Sequence, residues 1–497
     1  MAELTSWSQR RLAMGVLSPW RDERVRPIAA AGAIGAWTTV AAGSLLRPGP
    51  SPSIFWFGAE ATSPTATWIC TLVIGLATVL SVVAWAALAS VVRRRPVAVR
   101  TVAWTTVWWA APFAIGPPLF SHDIFSYAAQ GELVARGLDP YRFGPAALGR
   151  GAFLDPVSHL WRHTTAPYGP LWLRTAGVLA VASGHHPAVL VLLLHLLAVG
   201  CVAATGWLVV RLARRLGRDP SLVLAIALGS PLVLLHLVSG AHNEAMMIAL
   251  LVGGLVLLQD RQLVLGVIAI AAAASIKAPA ALGLVFVGWA LPVPPAPRLR
   301  QAAAATATLV GGVFAMAAIA AATGLGWGWV HALTNPGRVR PLESPFGAAG
   351  IAVASAGRAL GLVDSGGTIA TAAMMLGLVV GAAGIVIILL RSHDRVPVVS
   401  FGLAWGVAML CGPALYPWYL AAPLALMAFA RQPWRRTAAM GVATFFSLVT
   451  LPTGVGLLPD LGILGLWVVP VLSAAGAVWW WRRHDLEQQL PEVRVSG

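Results

Sequence analysis

Charge is what this sequence has least of. Only 10% of its 497 residues are Asp, Glu, Lys or Arg, against about a quarter in a soluble domain. Lysine is almost missing: Lys277 is the single one, and every other strong base is arginine. The three cysteines, Cys70, Cys201 and Cys411, stand in apolar runs with no shared spacing. That excludes a disulfide framework and a cysteine metal site. The histidines form no HExxH pattern, so no metal is expected. There is no tandem repeat at a fixed period and no stretch polar enough for a separate soluble domain.

What is present is apolar. Hydrophobic residues make up 58% of the chain, arranged in runs of about 17–25, the length that crosses a bilayer as a helix. The expected fold class is therefore an all-α polytopic membrane protein, with about 11–14 spans in a single bundle. Residues 1–27 and 482–497 read as cytoplasmic tails, and 28–481 as one integrated transmembrane domain. The first apolar run, near Ile28, is long enough to be kept as a helix, not cleaved as a signal peptide.

The net charge of +16 comes from arginine clusters between the runs, such as Arg93–Arg95, Arg211 to Arg218, Arg391 with Arg395, and Arg431 to Arg436. All can lie on the cytoplasmic side under the positive-inside rule. Anchoring at anionic lipid accounts for this charge, and no nucleic-acid partner is expected. The same assignment leaves two long outer loops, about 120–170 and 324–347, and smaller outer turns at 239–247, 275–280 and 416–419. The segments 171–184 and 346–361 carry Arg174 and Arg358; full spans there would break the parity, so they are expected as re-entrant or surface helices. The site is thus expected on the outer face of the plasma membrane.

Nine of the 18 acidic residues fall on that outer side. Asp123, in "SHDIFSY", follows nineteen uncharged residues. One reading is structural: Ser121 caps a helix, Asp123 sits in its first turn, and Gly137 closes it. The other is chemical: beside His122, with Tyr127 one turn on, the carboxylate is placed to take a proton from a hydroxyl. Lys277, in the small-residue segment "AAAASIKAPAAL", either snorkels to the surface or meets a lipid phosphate. "GAHNEAMM" offers His242, Asn243 and Glu244, and "NPGRVRPLESPFG" offers Arg338 and Arg340 as a bidentate phosphate fork. Trp327, Trp329, Trp418 and Tyr419 serve either as a sugar platform or as an interfacial belt.

Taken together, "SHDIFSYAAQGELVARGLDPYRFGP" (121–145), "APYGPLW" (166–172), "HNEAMM" (242–247), "SIKAPA" (275–280), "SPFG" (344–347) and "YPWYL" (416–420) resemble the actinobacterial polyprenol-phosphate-mannose-dependent α-1,6-mannosyltransferases. These build the mannan backbone of lipomannan and lipoarabinomannan. The resemblance covers most of the chain in order. It implies a GT-C glycosyltransferase fold, with two additional N-terminal helices before the catalytic loop, a polyprenyl-phosphate-mannose donor, and a phosphatidylinositol mannoside or lipomannan acceptor within the membrane lipid. It implies no cofactor. By resemblance Asp123 is the catalytic base. Lys277, Arg338, Arg340 and His242 are expected at the donor phosphate, and His122, Tyr127, Tyr168, Asn243, Glu244 and Trp418 at the sugar or acceptor. Two rivals stay open: a related transferase using a lipid-linked arabinofuranose, and a transporter or flippase of lipid-linked sugars.

Overall fold

The computed structural model describes residues 22–46, 63–292, 296–333, 335, 345–361, 367–393 and 396–450. Arg338, Arg340 and the last apolar run, 462–481, lie outside the described residues. Within them the regular structure is helical. The helices are α1 Val25–Leu46, α2 Pro64–Arg94, α3 Val99–Ile115, α4 Asp123–Ala135, α5 Pro170–Ala182, α6 Pro187–Arg215, α7 Pro220–Ala227, α8 Pro231–Ser239, α9 Glu244–Gln259, α10 Leu263–Ala274, α11 Leu282–Ala290, α12 Arg298–Thr323, α13 Pro345–Ala359, α14 Gly367–Leu390, α15 Val398–Leu410, α16 Ala421–Met427 and α17 Pro433–Leu448.

Five of these, α1, α2, α6, α12 and α14, are long and apolar enough to cross a membrane alone, and α7 with α8 makes a sixth bent by 50°. Among the described residues fewer helices than the expected 11–14 spans reach full length; further apolar helices of 10–17 residues join the bundle. The physical reason is proline and glycine. Gly229 and Pro231 break the apolar run 221–239, and Pro279 and Pro417 open 3-10 turns at the expected outer turns 275–280 and 416–419, which leaves short helices after them. Such breaks are tolerated at membrane depth where protein, not lipid, surrounds the freed backbone. The two segments expected to fall short of a span do so: α5 has 13 residues and α13 has 15.

The outermost helices expose apolar side chains: Phe314 on α12, and Leu376 and Val379 on α14. In water such faces would be costly; against lipid they are the ordinary solution. Inside, the packing is close. Trp109 on α3 donates to the Ala29 carbonyl at 2.9 Å, and Trp85 on α2 donates to the Ala225 carbonyl at 2.8 Å. Gly32 on α1 lies under the Trp109 ring, where any Cβ would collide at 2.3 Å.

The two ends of the bundle differ in chemistry. At one, Arg436 lies within electrostatic reach of Arg93, Arg218 and Asp219, and Arg211 and Arg215 both hold Asp260 at 2.6 Å. Asp260 follows α9, and Glu244 begins it. Sixteen residues at 1.5 Å each separate them by about 24 Å. The expected gathering of arginines away from the candidate site is thus present in the fold.

Candidate active site

The Asp123 segment arrives through a strained turn. Phe120, buried, has φ 67°, a left-handed conformation that bulky residues adopt only when their surroundings enforce it. The chain before it is tied down by the Leu119 amide, which donates to the Ser239 hydroxyl at 3.3 Å. Helix α4 then begins at Asp123 itself. His122 occupies the cap position without a side-chain bond, and the Ser121 hydroxyl accepts from the Asp123 amide at 3.0 Å. The expected Ser121 cap is displaced by one residue, because Ser121 serves the first helical N–H, not the second or third. The far end is as expected. Gly137 has φ 74°, its amide donates to the Val134 carbonyl, and the Leu138 amide donates to that of Leu133. This is a Schellman closure.

Opposite Asp123 stands a second tight turn. The last turn of α8 widens into a π-turn over Leu234–Ser239, a feature that recurs at functional sites. Ala241, at φ 50°, then swings the chain back. The wide turn and the reversal bring His236 and His242 within 6.2 Å, ring to ring. His242 is fully buried. Its Nδ1 lies 3.3 Å from the Tyr127 hydroxyl and 3.6 Å from Asp123 Oδ2. Asp123 and Tyr127, one turn apart on α4, therefore do share a face, and His242 meets both.

Trp418 is where the aromatic expectation changes. Its indole stacks on His242 at 3.9 Å and 17°, and on Tyr416 at 4.9 Å and 12°. Its ring is engaged by protein rings and braces His242, so it is not presented as a bare platform for a sugar. Trp327 and Trp329 likewise stack on each other.

Lys277 does not snorkel. Its ammonium pairs with Glu244 and lies 3.9 Å from the Tyr419 ring centroid and 5.9 Å from that of Tyr168. Carboxylate and ring faces together make a cage for a compact cation. The cage is assembled from distant sequence. The amides of Gly169 and Leu171 donate to the Ile276 and Ser275 carbonyls at 3.0 and 3.1 Å, and a Cβ at Gly169 would lie 2.1 Å from the Ser275 oxygen. Only glycine permits that approach. The Tyr141 hydroxyl fixes the loop further by donating to the Tyr168 carbonyl at 3.1 Å. The Tyr168 phenol is held well above its usual pKa, by burial first and then by the carboxylates of Asp123 and Glu244. It remains a neutral hydrogen-bonding group.

The turn 242–244 is buried yet polar. Asn243 and Glu244 are each 1% exposed. Among the described residues, His242 Nε2, both amide atoms of Asn243 and Glu244 Oε2 have no hydrogen-bond partner. Buried polar atoms without partners are costly, and here they border Asp123 and Lys277.

His122 and the polar side chains near it go elsewhere. His122 points its Nδ1 to the Pro156 carbonyl at 3.3 Å and packs on Phe125, facing the 120–170 loop. Arg162 staples that loop through the Val157 and Asp155 carbonyls. Glu132, completely buried, pairs with Arg136 at 2.7 Å and lies 2.9 Å from His185 Nδ1, which makes it a brace between α4 and the start of α6. Two residues were not singled out from sequence. His236 sits in the leucine run "LVLLHLVSG", fully buried and 5.6 Å from the Trp418 ring. Trp172 packs edge-on against Tyr127 at 5.0 Å. The costly imidazole in an apolar run was the available signal for His236; its partners follow only from the π-turn. His159 and His163, four apart, lie in turns and not on a helix face. The described residues contain no group of three metal-ligating side chains.

Fold and site together define a polytopic membrane protein with a carboxylate, a caged ammonium and ordered aromatic rings gathered away from its arginine-rich end. The chain belongs to the alpha-(1->6)-mannopyranosyltransferase family. The model of that family's N-terminal domain matches residues 28–293, and the MptB C-terminal domain matches 347–482. It is 34% identical to alpha-(1->6)-mannopyranosyltransferase A of Mycobacterium tuberculosis over 70% of this chain and 69% of that protein. It is 28% identical to alpha-(1->6)-mannopyranosyltransferase B of Corynebacterium glutamicum over 70% of this chain and 62% of that one. A shorter match, 39% identical, joins it to alpha-(1->6)-mannopyranosyltransferase A of Corynebacterium glutamicum over 36% of each chain. No solved structure matches it.

Proposed function

We propose that this protein transfers mannose from a polyprenyl-phosphate-mannose donor to a hydroxyl of a lipid-linked mannan, forming an α-1,6 linkage. The reaction takes place at the outer face of the plasma membrane, on a GT-C scaffold. The observation that carries the proposal is the placement of Asp123. Its carboxylate is partly open to solvent, 15% exposed, and lies beside His242 and Tyr127, in a chain of the mannopyranosyltransferase family. The arginine-rich end faces the cytoplasm under the positive-inside rule, which puts this site on the other side.

Asp123 takes the proton of the acceptor hydroxyl. The oxygen attacks the anomeric carbon in line and forms the new C–O bond. The bond from that carbon to the phosphate oxygen breaks, and its electron pair leaves with the polyprenyl phosphate. A β-linked donor gives an α-linked product by inversion. Lys277 receives the developing phosphate charge, a preorganised electrostatic role, together with Arg338 and Arg340. His242, expected at the phosphate, is turned instead towards Asp123 and Tyr127; its proposed role is to hold the base. Asn243 offers one donor and one acceptor group to sugar hydroxyls.

The test is transfer by purified protein in nanodiscs, with polyprenyl-phosphate mannose or polyprenyl-phosphate arabinofuranose offered to a lipid-linked mannan. Mannose-dependent growth of the acceptor with α-1,6 linkages supports the proposal. Incorporation of arabinose alone, or movement of donor across the bilayer without a new glycosidic bond, overturns it.

A further inference from the structure

The Lys277–Glu244 pair is asymmetric. The lysine side chain is 14% exposed and the glutamate side chain 1%. The lysine thus has an open side, while the carboxylate is buried at the first residue of α9. Glu244 faces the only lysine of the chain, whose ammonium engages its Oε1, and it sits in the first turn of a helix, where the dipole favours an anion. Tyr419 and Tyr168 confine Lys277 from the sides. A phosphate approaching the open side therefore meets a cation whose charge is already opposed by the carboxylate.

We infer that Glu244 is a counter-anion that keeps the hold of Lys277 on the lipid-phosphate product weak enough for release. This rests on the reading of Lys277 as a donor-phosphate ligand, and it replaces the expected role of Glu244 at the sugar. A lysine without the carboxylate binds a phosphate more tightly in the same low-dielectric cleft. The donor and the product share that phosphate, but the product, a monoester, carries more negative charge and gains more. Glu244 is in this sense a positioning residue: it acts through Lys277 and touches neither sugar nor acceptor.

The experiment is inhibition of transfer by added polyprenyl phosphate, with purified full-length protein in nanodiscs. Glu244→Gln is expected to be inhibited at about tenfold lower polyprenyl phosphate, a change of one power of ten in affinity. Lys277→Met is expected to be inhibited less than the parent. A merely structural role for Glu244 weakens binding when the residue is changed, so tighter product inhibition separates the two. Unchanged or weaker inhibition of Glu244→Gln, with Lys277→Met weakened, overturns this inference and leaves the role of Lys277 standing. Undiminished inhibition of Lys277→Met overturns the role of Lys277 itself. If Glu244→Gln does not fold, Glu244→Asp, which draws the carboxylate back from the ammonium, is expected to move inhibition in the same direction by a smaller factor. No tightening in that variant also overturns the inference.

Discussion

His242 turns a single ring nitrogen, Nδ1, towards two groups on α4: the Tyr127 hydroxyl at 3.3 Å and Asp123 Oδ2 at 3.6 Å. Trp418 stacks on its ring at 3.9 Å, so the imidazole has little freedom to turn. A ring held in this way, in polar contact with both groups, limits the carboxylate's orientation before the acceptor arrives, which is how preorganised groups assist a base. The arrangement predicts an order among substitutions. His242→Asn places an amide nitrogen near the Nδ1 position, while His242→Gln places one near Nε2. The expected kcat order is parent, then Asn, then Gln and Ala. The lowest should fall about 10- to 100-fold below the parent, the loss expected when a base is no longer held in place, with little change in donor KM. Steady-state kinetics in nanodiscs check this; a Gln variant more active than the Asn variant contradicts the role of Nδ1.

Lys277→Arg keeps the charge and is nonetheless expected to behave like Lys277→Met. The cage of Tyr419, Tyr168 and Glu244 fits a compact ammonium on a flexible stem, and a planar guanidinium is wider. Transfer should fall by at least about tenfold, about 1.4 kcal/mol in transition-state stabilisation. Near-parental transfer by the arginine variant indicates that charge alone matters there.

Gly169→Ala is expected to damage the site from a distance. The added methyl meets the Ser275 carbonyl at 2.1 Å, and backbone on both sides leaves nowhere to yield. Overpacking of this kind costs about 1–3 kcal/mol. It also pulls Tyr168 away from Lys277. The expected outcome is a lowered melting temperature together with reduced transfer, measured by thermal shift in detergent and by product formation. An alanine variant with both unchanged contradicts the close docking of 169–171 on 275–276.

Parts of this arrangement were legible in the sequence because they follow from local rules. Asp123 and Tyr127 share a face because they are one helical turn apart, and Gly137 closes their helix because αL favours glycine. The arginine clusters foretold one end of the bundle, where Arg93, Arg218 and Arg436 now meet. What was not legible depends on tertiary packing. Nothing in "YPWY" says that Trp418 would spend its ring on His242 and Tyr416, nor in "SIKAPA" that Lys277 would be drawn inward by Glu244. His236 was overlooked because its importance comes from a π-turn, which no simple periodicity announces. The lengths of the helices were not legible, because an apolar run shows where lipid or core contact is suitable, but not that Gly229 with Pro231 interrupts the helix inside it.

The measurement that bears most directly on the account is transfer by Asp123→Asn. The purified variant is placed in nanodiscs with polyprenyl-phosphate mannose and a lipid-linked mannan acceptor, and donor binding and melting temperature are recorded alongside product. Asparagine preserves the size of the side chain and the Ser121 contact to the backbone while removing the base. The account predicts product formation reduced by at least about a hundredfold, with melting temperature and donor affinity unchanged. Product formation within a few-fold of the parent, from a protein equally stable and equally able to bind donor, contradicts it.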